Sequence, residues 1–532
     1  MDFSTHFIDY TQTGYFNQLV TDYISGNDSL QSFYKYPVSI EGIKVAIEDR
    51  KRFNTDRKLL VTELQRQYNS ILTSKKVDTN IQSLLNENTF TICTAHQPNI
   101  FTGHLYFIYK ILHTIKLSES LSAHFPEYNF VPVYYMGSED ADVEELGQVN
   151  INGEKYLWDT KQTGAVGRMK VDKALIILIE QIEGQLLIYP FGNEIISLIK
   201  SCYKTGVTIE QATFELVNAL FAEYGLIILL PDNPALKKSF ISIVEKELSE
   251  TFSHKAVAET AASFPAKYKL QVNGRELNLF YLKEDSRERI VREHSIFKVQ
   301  HSKVEFNAAS IATELKQYPE RFSPNVILRP VFQELVLPNI AFIGGGGEIA
   351  YWLELKKVFE AANVPYPMLI VRNSFMLITK EIEALIEKLN FDNVNLFKPE
   401  IQLLTELVKR DSTAKLSLEE EKQQLTELYE QLKSITGKVD ITLQQHTEAL
   451  QARALKKINA LEKKMVSAEK KKFQAQQQQL HKIKLRLFPN DSLQERVDNL
   501  LPYYAKWGKD FIKAIYKNSL TLEQQFTILT ES

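Results

Sequence analysis

The sequence is poor in the features that would place it quickly. Only two cysteines, Cys93 and Cys202, occur in 532 residues. That excludes a disulfide framework or a cysteine-rich zinc cluster and points to a reducing compartment. No run of about 18 apolar residues exists, so no membrane-spanning helix is expected. The longest apolar stretches, such as 226–231, have the length of buried strands. Residues 1–20 lack a basic segment followed by an apolar one, so no secretion is expected and the chain reads as cytoplasmic. An excess of one charge is also missing: 63 Lys and Arg against 66 Asp and Glu leave −3, with no overall bias toward polyanions. There is no zinc spacing, nucleophile elbow or Walker A motif. Neither cysteine belongs to a redox pair, and both read as buried packing residues. What is present is 44% hydrophobic residue content, which excludes global disorder and, at roughly 100–200 residues per domain, allows about three domains.

Residues 1–88 read as several helices, since Leu60, Leu64, Tyr68 and Ile71 recur every three to four positions. From Thr89 the pattern becomes strand (90–94), turn-rich loop, then apolar helix from Leu105 to about Leu121, which opens a βαβ unit. A second strand, 130–136, follows at the distance of a parallel neighbour. Runs at 225–230, 326–328 and 368–371 lack polar alternation and read as further buried parallel strands. The expectation is an α/β doubly wound core over 89–375. Segments of about 145–200 and 235–325 are too long for simple crossovers and carry turn signals at Asn152-Gly153 and Asn273-Gly274, so they read as insertions. Between Pro399 and Pro489 there is no proline and one glycine, Gly437. With apolar heptads at Leu418, Leu425, Leu428, Leu432, Ile435 and Val439, and again from Ala454 to Ala468, residues 376–490 predict a long helical coiled coil turning near Gly437. The tail, 491–532, is expected to return to the core.

Four segments could carry chemistry. The loop from His96 to His104 lies between strand and helix, where backbone amides and the helix dipole attract phosphate or carboxylate. Its His96, Gln97, Thr102, Gly103 and His104 are candidate binding residues, against the alternative of a plain capping loop. After the second strand, Glu139, Asp140 and Asp142 sit nearest the strand end and could hold an ammonium group, a hydroxyl or Mg²⁺, or act as a base, whereas Glu144 and Glu145 suit the start of the next segment. A solvated acidic loop is the competing reading. The third is Gly344-Gly345-Gly346-Gly347-Glu348, which matches neither the dinucleotide fingerprint nor the P-loop but allows close backbone approach, as would a tight packing turn. The fourth, 451–490, has eleven Lys or Arg against two Glu. With few aromatics it reads as a solvated coiled-coil face and not as a nucleic-acid surface. At the base of the arm, Gln494, Arg496 and Lys506 could reach a ligand.

In order along the chain, the 97–110 loop and helix, Pro132–Glu145, Arg329-Pro330, Gly344–Trp352 and Leu487-Phe488-Pro489 with Leu493–Arg496 resemble the bacillithiol biosynthesis cysteine-adding enzyme family, BshC. The resemblance implies a Rossmann-like core with two connecting-peptide insertions and a coiled-coil domain associated with homodimerisation. It also implies a ligase that joins cysteine to the amine of glucosaminyl malate, using ATP or ADP and possible Mg²⁺, with no nucleic-acid or membrane partner. In that setting His96 and His104 would meet nucleotide phosphates or developing charge. Glu139, Asp140 and Asp142 would meet an amine, hydroxyl or metal, and Gly345, Gly346 and Glu348 the cofactor. The family pattern has Gly-Gln-Gln, Gly-Pro and Glu-Asp-His-Asp where this chain has Ala95-His96-Gln97, Gly103-His104 and Glu139-Asp140-Ala141-Asp142. Two other readings stand beside this one: a non-catalytic nucleotide-binding assembly protein, and a divergent ligase acting on another amino sugar.

Overall fold

The computed structural model describes residues 3–272 and 274–532 and divides into two compact units, 1–377 with 492–532, and 378–491. The first is built on a five-stranded parallel sheet. In chain order its strands are β1 (Thr89–His96), β2 (Asn129–Met136), β3 (Ile227–Leu229), β4 (Asn339–Gly344) and β5 (Met368–Val371). In space they run β5-β4-β1-β2-β3, every neighbouring pair parallel. The order grows outward from β1 in both directions, which opens a crevice beyond the carboxyl ends of β1 and β4. The Rossmann-like α/β core expected from the sequence is therefore present. All eight residues of β1 are buried. Helices Ile40–Lys51 and Leu105–His124 contribute Ile43, Ile47, Leu117 and Leu121 to one apolar cluster with Ile92, Ile343 and Ile370.

One strand assignment fails. Residues 326–328 are not a parallel strand: the Asn325 side chain accepts hydrogen bonds from the Ile327 and Leu328 amides at 2.9 and 3.3 Å, folding them into a turn that leads into helix Arg329–Val336, with Pro330 in its first turn. Three apolar residues were too few to distinguish the two. The fourth strand is instead Asn339–Gly344, buried throughout between β1 and β5. Residues 1–88 are also not wholly helical, because Phe3–Ile8 pairs antiparallel with Phe526–Glu531 at the other end of the chain.

Between β2 and β3, a hairpin joins Gln148–Ile151 to Glu154–Leu157 through Asn152 (φ 52°) and Gly153 (φ 87°), the left-handed pair such a tight turn needs. Between β3 and β4 lies a five-stranded antiparallel sheet, in the order Glu305–Asn307, Ile296–Val299, Arg287–Glu293, Leu279–Leu282, Phe322–Pro324. The turn expected at Asn273-Gly274 includes Asn273, which lies outside the described residues.

In the second unit, helices Glu419–Val439 and Thr442–Lys470 form an antiparallel pair joined across Lys422–Glu462 (2.5 Å) and Thr436–Thr447 (3.1 Å). The turn falls at Asp440-Ile441, three residues beyond the expected glycine. Asp440 Oδ1 accepts from the Thr442 amide at 2.8 Å and starts the return helix. Gly437 faces the returning helix, where a Cβ would meet the flexible end of the Gln444 side chain. Among the described residues no helix is long and apolar enough to cross a membrane.

Candidate active site

A cavity of ≈ 860 Å³ opens at the carboxyl end of the parallel sheet. Each strand delivers residues to it: His96 and Gln97 after β1, Gly137–Asp140 after β2, Pro231 after β3, Gly345–Glu348 after β4, and Arg372 after β5. The inserted antiparallel sheet adds Arg275, Phe280, Arg287 and Arg289, and the returning tail adds Arg496. The wall is thus rich in arginine, with Glu139, Asp140, Glu145 and Glu348 as its acids.

His96 ends β1, is 9% exposed, and its Nε2 is buried with no hydrogen-bond partner among the described residues. Burial, followed by the neighbouring Lys110 charge, holds its pKa well below the usual histidine range. His104 stands at the N-cap position of helix Leu105–His124 without capping it through its side chain; its Nδ1 is 3.2 Å from the Val497 carbonyl oxygen, and burial lowers its pKa too. Both rings are neutral near pH 7. A neutral imidazole can offer an anion a hydrogen bond but no positive charge. Tyr106, unmarked by sequence reasoning, lies between them, with ring centroids 5.4 and 5.7 Å from His96 and His104.

The glycine run explains itself only in part through packing. None of Gly344–Gly347 has a positive φ. A Cβ on Gly344 would lie 2.8 Å from Phe342 Cε1, so the fold requires this residue to be small, and one on Gly346 would be tight, 3.1 Å from Val20 Cγ2. Gly345 has only contacts of 3.5 and 3.6 Å, with Glu348 Oε2 and Arg372 Nε, and Gly347 has nothing within 4 Å. Their missing side chains leave space in the cavity at the start of helix Gly346–Leu353, where first-turn amides have no intrahelical acceptor. Glu348 is on the wall but already engaged: Oε2 accepts from the Gly345 amide at 2.9 Å and from Lys110 Nζ at 2.5 Å. Above this turn, Arg372 donates to Glu495 at 3.0 and 2.7 Å, which fixes its fork, while its Nε stays buried without a partner among the described residues.

The acidic loop is divided by its surroundings. Glu139 is buried and ion-paired with Lys237, with Ser323 Oγ at 3.3 Å. Burial raises its pKa and Lys237 offsets part of that rise. Asp140 accepts from Gln97 Nε2 at 3.2 Å. Asp142 is not on the wall. Its Oδ1 accepts from the Glu145 amide at 3.0 Å and caps the short helix Val143–Leu146. Glu145, which the sequence assigned to helix start, is on the wall instead, its pKa raised by burial and then by Asp142 and Asp140.

Four further expected binding residues lie off the wall. Thr102 (φ 70°) and Gly103 (φ 61°) shape the turn, which Asn499 Nδ2 holds by donating to the Phe101 carbonyl at 2.9 Å and to that of Gly103. Gln494 is buried and accepts from the Leu377 amide at 2.9 Å. Lys506 Nζ lies 3.6 Å from Glu531 and over the Trp507 ring. These four hold the scaffold. Arg275, Arg287, Arg289 and Arg372 escaped the sequence reading. Arg372 follows directly on a strand end, and Arg287 and Arg289 stand two apart on one strand face, which were the available signals.

Residues 3–373 match the family described as bacillithiol biosynthesis BshC, N-terminal Rossmann-like domain, and residues 375–531 the BshC C-terminal coiled-coil domain. A protein of Flavobacterium psychrophilum named "Putative cysteine ligase BshC" is 40% identical over 528 residues, covering 99% of both chains. A namesake in Flavobacterium johnsoniae is 37% identical with the same coverage. One in Bacillus cytotoxicus is 24% identical over 94% of this chain and 96% of its own. With both of its domains matched in order, the chain belongs to the BshC family.

Proposed function

We propose that the protein is a carbon–nitrogen ligase that joins the carboxyl group of cysteine to the amine of glucosaminyl malate, with a nucleotide activating the carboxylate. The observation that carries this reading is the pair Gly345 and Gly347. The fold leaves room at both, yet neither bears a side chain, and the space lies at a helix N-terminus beside Arg372 and Arg496, a setting that suits phosphate. The residues present therefore fit a nucleotide, held by the Gly346 and Gly347 amides, Arg372 Nε and Arg496, with His96 and His104 as neutral hydrogen-bonding groups. Bound nucleotide would supply the leaving group that makes the cysteine carboxylate an electrophile. Among the described residues no cluster of three or more His, Cys, Asp or Glu is placed to hold a metal ion; Mg²⁺ would arrive on the nucleotide's phosphates.

The chain's own residues supply orientation and proton handling. An amine attacks only when uncharged, so an acceptor must take its proton as the new C–N bond forms. Glu145, on the cavity wall and with a raised pKa, suits that task better than Glu139, whose carboxylate is committed to Lys237. The half-exposed Leu428, Leu432 and Ile435 of the arm, at heptad positions, support a second copy of the chain as its partner. Leu432→Glu with Ile435→Glu is then expected to halve the mass measured by light scattering.

Nucleotide consumption tests the reading. ATP cleavage that requires both cysteine and the amino sugar, in one-to-one proportion with amide formed, supports it, and amide formed without nucleotide contradicts it.

A further inference from the structure

Three of the cavity's arginines come from one place, the inserted antiparallel sheet. Arg287 and Arg289 project from the same face of strand Arg287–Glu293, and Arg275 stands shortly before strand Leu279–Leu282. The Phe280 ring packs against both neighbours, with the Arg287 guanidinium 4.0 Å and that of Arg289 4.8 Å from its centroid. Cation–π contact of this kind holds a guanidinium in place without using its N–H donors.

Their partners are scarce. Arg287 donates to Ser323 Oγ and the Pro324 carbonyl, both at 3.1 Å, and neither partner is charged. Arg289 Nη1 is buried with no hydrogen-bond partner, and neither Arg275 nor Arg289 has a salt bridge among the described residues. Burial lowers the pKa of Arg287 and of Arg289; the Glu139 and Asp140 charges offset part of this at Arg287, whereas at Arg289 the second cause is the like charge of Arg275. A buried donor without an acceptor at Arg289, beside the like charge of Arg275, is unfavourable, and an anionic ligand relieves both.

The geometry points to a subsite for a dicarboxylate. We propose that Arg275, Arg287 and Arg289 bind the two carboxylates of the acceptor substrate and so select a malyl-bearing amino sugar over a plain one. Planar guanidinium forks match carboxylates bidentately, and no helix N-terminus contributes here, in contrast to the phosphate setting at Gly346–Leu353. None of the three guanidinium groups is held in an internal ion pair among the described residues, so together they offer enough donors for two carboxylates. The inference rests on the ligase reading for the identity of the acceptor, but not for the existence of the subsite.

The test is calorimetric titration of the full chain with L-malate, with lactate and with inorganic phosphate, for wild type, Arg289→Gln, Arg275→Gln and Arg289→Lys, alongside thermal melts to verify folding. The expected result is malate binding that falls at least tenfold in each Gln variant and less in Arg289→Lys, with lactate much weaker. In steady state, the KM for glucosaminyl malate should rise at least tenfold in Arg289→Gln while that for cysteine holds. Malate binding unchanged by these substitutions, or phosphate binding that is lost in their place, overturns the proposal. If the ligase reading alone is wrong, no amide forms with any variant but the malate pattern persists. If the subsite alone is wrong, wild-type ligation persists and the malate pattern is absent.

Discussion

Lys110 Nζ lies 2.5 Å from Glu348 Oε2 and 2.6 Å from the Ala95 carbonyl oxygen, so one buried ammonium ties the end of β1 to the helix that follows β4. These two ends border the crevice, and the tie sets their separation. Removing the ammonium leaves Glu348 without its counter-ion, which for buried pairs costs about 3–5 kcal/mol. Glu348 retains 26% side-chain exposure, which favours the lower end. Lys110→Met is expected to lose about 3 kcal/mol in urea unfolding, and Lys110→Met with Glu348→Gln to regain part of it. A single variant as stable as wild type contradicts the role.

The four glycines should separate into two classes. Gly344→Ala forces a Cβ to 2.8 Å from the Phe342 ring and is expected to destabilise by about 1–3 kcal/mol, as overpacked cores do. Gly347→Ala meets nothing within 4 Å and replaces a helical glycine, so its melting temperature should hold or rise. Its ATP dissociation constant should nevertheless increase at least tenfold in equilibrium binding. Unchanged ATP affinity would remove the support this run gives to nucleotide binding.

Glu334 gives a pH dependence with a defined sign. It is fully buried, and burial, partly offset by Arg50, pushes its pKa up from 4.5 to about 7. Between those values the folded protein keeps a proton that the unfolded chain has released, so stability falls as pH rises from about 4.5 to about 7 and the penalty is complete above that. Glu334→Gln, which keeps an acceptor for Gln333 and Asn339, should flatten this part of the profile and be more stable than wild type at pH 8. Parallel wild-type and variant profiles from pH 4 to 8 would contradict the assignment.

Two neighbouring acids should behave differently. Asp142→Ala removes a cap worth about 1 kcal/mol and should leave turnover within about threefold of wild type. Glu145→Gln should cut turnover by about 10²-fold with little effect on stability, the usual scale for losing a general base. The reverse order, read from steady-state rates and melts of both variants, would return the chemistry to Asp142.

The sequence made some of this visible for reasons that can be named. β1 and β2 are runs rich in β-branched and aromatic residues, joined by a loop and an apolar helix and ending in loops, so they announce a βαβ unit and the crevice at its carboxyl end. The fourth strand was hidden because Val326–Leu328 and Asn339–Gly344 are both short apolar runs, and only the hydrogen bonds of Asn325 decide between them. The histidines could be named from their loop, but their neutrality follows from burial, which has no sequence signature. The arginines were the largest omission. Arg275, Arg287 and Arg289 reach the cavity by the folding of an inserted segment far along the chain from the strands whose ends they face, and no local pattern encodes that approach.

The central claim is amide formation in this crevice. The direct measurement is mass spectrometric detection of product after incubating the purified protein with cysteine, glucosaminyl malate and Mg-ATP, with each component omitted in turn. The account predicts bacillithiol in the complete mixture and none when any substrate is missing. Folded, ATP-binding protein that yields no product in the complete mixture would contradict it and favour the assembly-protein reading.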